Sequence, residues 1–188
     1  MIRLTQCLAA GLLFLTIVAH QLPAGPAIGT RLSQFNVRDC SGPAAGKSLC
    51  YFCRYGSRPV VCLLTRKITP AVSQLIQKLD QQVGEHRRDR LAAFVVVLAE
   101  DTAAVERSLK QLAAELQLRY VPLTIYRDSA LKLQRLLQLD DEAALEVLSW
   151  RRSRVITNRV YRDAKLTSKD QADVLGDVLH LLGGRKAP

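Results

Sequence analysis

Two uninterrupted apolar runs constrain this chain more than anything else in it. Residues 59–64 (PVVCLL) and 91–98 (LAAFVVVL) lack the alternation of a strand with one wet face. They suit the middle of a sheet covered on both sides. A helical pattern follows each. Thr69 and Pro70 supply an N-cap and a first-turn proline, and Val72, Leu75, Ile76, Leu79 and Val83 then form one apolar stripe that Gly84 stops. Asp101 and Thr102 open a second helix with Val105, Leu109, Leu112 and Leu116 on one face. Strand and helix in alternation predict crossover connections and parallel strands. Beyond Pro122 the sequence predicts a third strand over 123–126 and a leucine-rich helix over 130–139. A hairpin of 145–150 and 155–161 follows, turned at Arg-Arg-Ser-Arg. Ser168 with Gln171 predicts a capping box for a last helix bearing Val174, Leu175, Val178, Leu179 and Leu182. Residues 28–58 read as irregular, with an extended piece at 32–37 and a turn at 41–43.

The 188 residues suffice for one domain with a hydrophobic core and are too few for two ordinary ones. The N-terminus reads as a segment apart. Arg3 precedes an uncharged apolar run over 7–19, and a Pro/Gly/Ala-rich stretch follows at 22–27. That is the layout of a secretory leader. The expected organisation is a leader over 1–27, cut between 19 and 27 after Ala19, Ala24 or Ala27, and one domain over 28–188. A periplasmic or extracellular location follows, with no membrane span after cleavage. Cys7 lies in the leader, leaving Cys40, Cys50, Cys53 and Cys62. Outside the cytosol these thiols can form disulfides, with three full pairings open.

Lys and Arg total 27 against 17 Asp and Glu, a net charge of +10. The charges are scattered rather than gathered in a stripe with interleaved aromatics, which argues against a specific nucleic-acid module. Weak attraction to anionic envelope surfaces is the expectation. Outside the leader only His86 and His180 remain as histidines, and each reads as a surface or helix-face residue. No metal site and no cofactor are expected, because a closed zinc site needs more than one cysteine pair. Gly42 to Ser48 (GPAAGKS) imitates a phosphate-binding loop, but one residue is missing between the glycines and no helix start follows.

A proline just before a strand, then a β-hairpin and a C-terminal helix, gives the chain an order that resembles thioredoxin over about residues 28–184. The lead-in GTRLSQFNVRDCSGPAAGKSLCYFCRYGSRPVV resembles that of peroxiredoxin-type relatives. CYFCRYGSRPVV together with YVPLTIY resembles a group of exported bacterial thioredoxin-like proteins without an assigned activity. The resemblance implies an α/β thioredoxin-like fold: a central mixed sheet with flanking helices, an irregular or β lead-in, and a closing hairpin plus helix. It also implies where reactive thiols should stand. Thioredoxins carry theirs just after the first core strand, which here is 65–70 (TRKITP); peroxiredoxins use a position slightly further on, here 69–72. Neither stretch contains cysteine. By the same resemblance Pro122 corresponds to a cis-proline facing residues 65–69, a candidate for substrate docking.

Cys50 and Cys53 form a C-x-x-C ahead of the strand instead. Two roles are open. One is a relocated redox pair exchanging disulfides with a protein thiol partner, with Lys47, Arg54 and Arg58 close enough in sequence to lower a thiol pKa. The other is a structural disulfide in a non-catalytic binding module. A straight strand would set the two α-carbons roughly 10 Å apart, so a bridge requires a turn through Tyr51 and Phe52. Cys62, inside PVVCLL, reads as a buried and inert small hydrophobe. Cys40 reads as a partner for Cys50 or Cys53, or as a free thiol.

Overall fold

The computed structural model describes residues 25–99 and 102–183. The leader expected over 1–27 falls almost wholly on 1–24, outside the described residues, as does Asp101.

The two apolar runs become strands β3 (Pro59–Thr65) and β4 (Ala92–Leu98), which pair in parallel. Strand β5 (Leu123–Tyr126) lies parallel on the far side of β4. The crossovers are α2 (Pro70–Glu85) and α3 (Thr102–Glu115). The predicted hairpin forms as β6 (Leu145–Arg151) and β7 (Arg154–Tyr161), with Arg152 and Ser153 both at positive φ in its two-residue turn. It joins the sheet antiparallel to β3. Helix α4 (Ala130–Leu137) precedes the hairpin and α5 (Ser168–Leu181) closes the fold.

The region expected to be irregular adds two short strands, β1 (Val37–Asp39) and β2 (Ser48–Leu49), and a single-turn helix α1 (Tyr51–Tyr55). The expected extended piece over 32–37 contributes only its last residue to a strand. The full sheet has seven strands in the order β2-β1-β5-β4-β3-β6-β7. Upstream of β1, the chain runs beside the start of β7: Gly29 N–H donates to Val155 O at 2.8 Å and Leu32 N–H to Ser153 O at 2.9 Å.

Side-chain alternation on the central strands splits the core into two layers. Val61 and Leu63 of β3 pack with Leu75, Ile76 and Leu79 of α2 and Val174 and Val178 of α5. Val60, Cys62 and Leu64 face the opposite side, where Tyr51, Phe94, Leu133 and Trp150 lie. A sheet covered on both faces explains why β3 and β4 carry no polar alternation.

Helix boundaries moved slightly, each for a visible reason. Helix α2 continues past Gly84 to Glu85, and His86 caps it; His86 is buried, with Nδ1 3.1 Å from Asp89 Oδ2, rather than exposed. The capping box of α5 is Thr167 with Asp170, one residue ahead of the predicted Ser168 and Gln171. Thr167 N–H donates to Asp170 Oδ2 at 2.8 Å, and Gln171 is instead buried against Lys78.

Pro122 requires a larger correction. Every peptide bond among the described residues is trans, including the one before Pro122. Its carbonyl accepts from Val95 N–H at 2.9 Å, so the chain is already running into the parallel β5 ladder. Nor does Pro122 face residues 65–69, because β4 separates β5 from β3. The backbone that faces Thr65–Thr69 comes from the segments flanking the hairpin. Arg66 N–H and Thr65 Oγ1 donate to Ala144 O, and Thr69 Oγ1 donates to Ala164 O. The resemblance placed the proline before the wrong strand.

Candidate functional site

The start of α2 holds no sulfur. Thr69 Oγ1 accepts from Val72 N–H at 3.3 Å, an ordinary N-cap at the end of β3. Cys50 and Cys53 belong to α1, which packs on the opposite face of the sheet from α2: Tyr51 lies in the layer of Phe94 and Trp150, and Val72 in the layer of Val61 and Leu63.

The required turn exists. Cys50 is the N-cap of α1, and one helical turn brings its α-carbon to 5.2 Å from that of Cys53, with a disulfide joining them. Cys53 N–H donates to Cys50 Sγ at 3.0 Å. Cys53 is exposed and Cys50 half-buried. Cys53 Sγ also lies 3.6 Å from Gln34 Oε1.

What holds this small helix in place is unusually well defined. Asp39, fully buried at the end of β1, accepts from Gly42 N–H at 2.7 Å, Ala44 N–H at 2.8 Å and Tyr51 Oη at 2.7 Å. These are the loop amides that a phosphate-binding loop would offer to a ligand; here the carboxylate takes them. Gly42 must be glycine, because a Cβ there would come within 2.7 Å of both Tyr51 Oη and the Pro122 side chain. Tyr51 stacks on Phe94 at 5.4 Å, and Phe52 packs against Trp150 at 5.8 Å. Burial and the Asp39 carboxylate push the Tyr51 phenol well above its ordinary pKa, so it stays a hydrogen-bond donor.

Beside α1 lies a cleft of about 410 Å³ lined by Arg54, Tyr55, Arg58, Arg119, Tyr120 and Pro122. Pro122, moved away from residues 65–69, is thus a wall of the cleft next to the C-x-x-C helix. Lys47 is not among its lining residues.

The other two cysteines belong to the core. Cys40 and Cys62 are free and each is 1% exposed. Burial pushes the Cys40 thiol up to about 12, helped by the Glu106 and Asp39 carboxylates, and burial raises the Cys62 thiol strongly as well. Both are protonated and inaccessible. Among the described residues no group of three or more His, Cys, Asp and Glu is placed to hold a metal, and no helix is long and apolar enough to cross a membrane.

Sequence reasoning missed Asp39 and the cleft. A single aspartate beside a cysteine gives no local sign that three donors converge on it, and the cleft is assembled from segments more than 60 residues apart.

No known family model matches this sequence, and no curated protein is significantly similar to it. Solved structures are similar in shape. A Chlorobium tepidum protein described as a candidate thiol:disulfide interchange protein DsbE superposes with a TM-score of 0.63 at 13% identity, over 84% of this chain and 99% of that one. A PrxQ mutant from Xylella fastidiosa gives 0.60 at 14%, over 82% and 96%. The peroxidoxin BcpB from Mycobacterium tuberculosis gives 0.60 at 12%, over 85% and 97%. Identities this low speak to architecture alone, and the architecture is clear: the chain has a thioredoxin-like fold, with a central mixed sheet, flanking helices, a β lead-in and a closing hairpin plus helix.

Proposed function

We propose that this chain is an exported thiol–disulfide exchange protein working through Cys50 and Cys53. The observation that carries the reading is the asymmetry of the pair. Cys53 is exposed, while Cys50 is half-buried and its Sγ accepts the Cys53 amide. A partner thiolate attacks Cys53 Sγ, forming a mixed disulfide and breaking the Cys50–Cys53 bond. The electron pair leaves on Cys50 Sγ, where the amide N–H stabilises the thiolate. A second partner thiolate then attacks the partner sulfur and releases Cys53 as thiolate. The partner dithiol is oxidised and the pair is reduced; the reverse sequence reduces a partner disulfide. Arg54, Arg58 and Arg119 favour partners with acidic residues near the reacting cysteine, and Pro122 forms the wall they dock against.

The competing reading is a structural disulfide in a binding module. A bridge across two residues restrains the unfolded chain little, by about 2 kcal/mol in the loop-closure picture. Helix α1 is in any case held by Asp39 and by Phe94 and Trp150. Redox exchange is therefore the better account.

Trapping decides between them. The Cys50→Ser variant should accumulate a mixed disulfide on Cys53 with a disulfide-bonded peptide, the Cys53 thiolate bonding one peptide sulfur and freeing the other as thiolate, seen as one added mass, and Cys53→Ser should trap none. A reduction potential above roughly −300 mV is expected for the working pair. If neither variant traps a partner and both merely lose stability by roughly 2–5 kcal/mol, the structural reading stands.

A further inference from the structure

Two buried aspartates hold the two walls of the cleft beside α1. On one side Asp39 fixes the loop at 42–44 and, through Tyr51 Oη, the helix that carries Arg54 and leads on to Arg58. On the other, Asp80 of α2 takes three successive main-chain donors from the segment entering β5. Its Oδ1 accepts from Tyr120 N–H at 2.7 Å, Val121 N–H at 2.8 Å and Arg119 N–H at 3.1 Å. The walls meet where Gly42 lies against Pro122 with no room for a Cβ. Tyr120 is seated in the same way, since a Cβ on Gly84 would come within 2.7 Å of its ring.

This fixed cleft carries three guanidiniums, Arg54 and Arg58 from one wall and Arg119 from the other. Both aspartates are filled by N–H groups and a phenol, and among the described residues none of the three arginines forms an ion pair. Arg58 Nε is buried without a hydrogen bond among the described residues, so this side chain gains a bond by turning toward an anion. Arg87 lies over the Tyr120 ring, 5.7 Å from its centroid, and adds positive charge beside the cleft. Like charges lining a recess concentrate its field and draw in an anion.

The number and placement of the arginines narrow the kind of anion. A single carboxylate is satisfied by one planar fork. A phosphate offers three free oxygens pointing in different directions and a charge of roughly −2, which suits guanidiniums on opposite walls. At about 410 Å³ the cleft is also roomier than the bare ion, leaving Tyr120 and Pro122 to hold an organic group. We propose that this cleft binds a phosphate monoester, with Arg54, Arg58 and Arg119 on the phosphate and Tyr120 and Pro122 against the group esterified to it. The inference stands apart from disulfide exchange. A bound phosphate would occupy the guanidiniums that acidic residues of a thiol partner otherwise meet.

The test is binding to the full chain. Two probes present the same phosphate monoester from different sources: glycerol phosphate, followed by calorimetry, and phosphatidylcholine vesicles containing phosphatidic acid, followed by sedimentation. Saturable binding of glycerol phosphate is expected, weakened about tenfold or more in Arg119→Gln, the worth of a hydrogen bond between charged groups. Arg119 meets Asp80 through its main-chain N–H, so this variant keeps that contact, and its urea midpoint should not move. Arg58→Gln should weaken binding likewise. Arg135→Gln removes the same charge from an exposed position on α4 and should leave binding unaltered. Binding of the phosphatidic acid vesicles alone, absent with pure phosphatidylcholine and lost in Arg119→Gln, upholds the site and assigns the phosphate to a lipid headgroup. Binding of neither probe overturns the inference. So does an equal loss in Arg119→Gln and Arg135→Gln, or an equal affinity for succinate. None of these readouts involves Cys50 or Cys53, so the exchange reading stands or falls separately.

Discussion

Tyr51 Oη donates a 2.7 Å hydrogen bond to Asp39 Oδ2, tying the residue after Cys50 to the end of a strand twelve positions upstream. Because two loop amides share that carboxylate, the geometry of the disulfide helix is set from within the core rather than by the disulfide. Tyr51→Phe should therefore cost about 1.5–3 kcal/mol, the worth of a bond to a charged group, in urea unfolding. Asp39→Ala should cost more, since it strands three donors. Neither should abolish trapping on Cys53 at temperatures where the variant is folded.

Trp150, the chain's single tryptophan, reports on the pair. Phe52, between the two cysteines, packs on it. Reducing Cys50–Cys53 should change Trp150 emission, and a titration against glutathione should return the pair's potential. The Cys50→Ser, Cys53→Ser double variant should show no change on adding reductant; an equal response there would place the reporter elsewhere.

Iodoacetamide should discriminate among the four cysteines outside the expected leader. After mild reduction of the folded protein, Cys53 should react first and Cys50 next, with Cys40 and Cys62 modified only on unfolding. Their raised pKa values and burial deny them both thiolate and access. Labelling of Cys40 in the native state would contradict its place under α3.

Stability should depend on pH through Glu146. Burial holds this carboxyl up at about 7 against 4.5 for the free group. Below 4.5 both states are protonated and no penalty exists. Between 4.5 and 7 only the unfolded chain ionises, so stability falls as pH rises, by about 3 kcal/mol in total, and is flat above. The groups facing Glu146 are the Asp140 carboxylate, the Asn158 amide and the Cys62 thiol, with Arg162 paired to Asp140 further out. Urea melts from pH 4 to 8 should show this slope, and Glu146→Gln should remove it.

The sheet was legible because its central strands are apolar throughout and its helices keep a clean 3.6-residue stripe. Residues 59–64, 91–98 and 123–126 form adjacent strands, as their patterns require, and the Arg-Arg-Ser-Arg turn closes the hairpin. The empty positions at 65–72 were equally plain. What local pattern could not show is what distant residues decide. β1, β2 and α1 have five residues or fewer, below the length at which periodicity carries a signal. Pro122 was assigned by its place before a strand, and only the sheet order reveals which strand that is. Glu146 would read as a solvent-facing position in a hairpin until the lead-in is seen to cover it.

That lead-in has another consequence. The seven-stranded sheet has two outer strands: β2, of only two residues, and β7, of eight. A long unpaired edge is a template for a neighbouring copy to add a strand. Residues 29–32 bridge to the start of β7, with Gly29 and Leu32 donating to backbone carbonyls at 153–155 and Val155 N–H donating to Thr30 O. One margin of the sheet is thus too short to extend, and the start of the other is covered. A chain trimmed to begin at Ser33 would uncover the longer margin and self-associate with rising concentration.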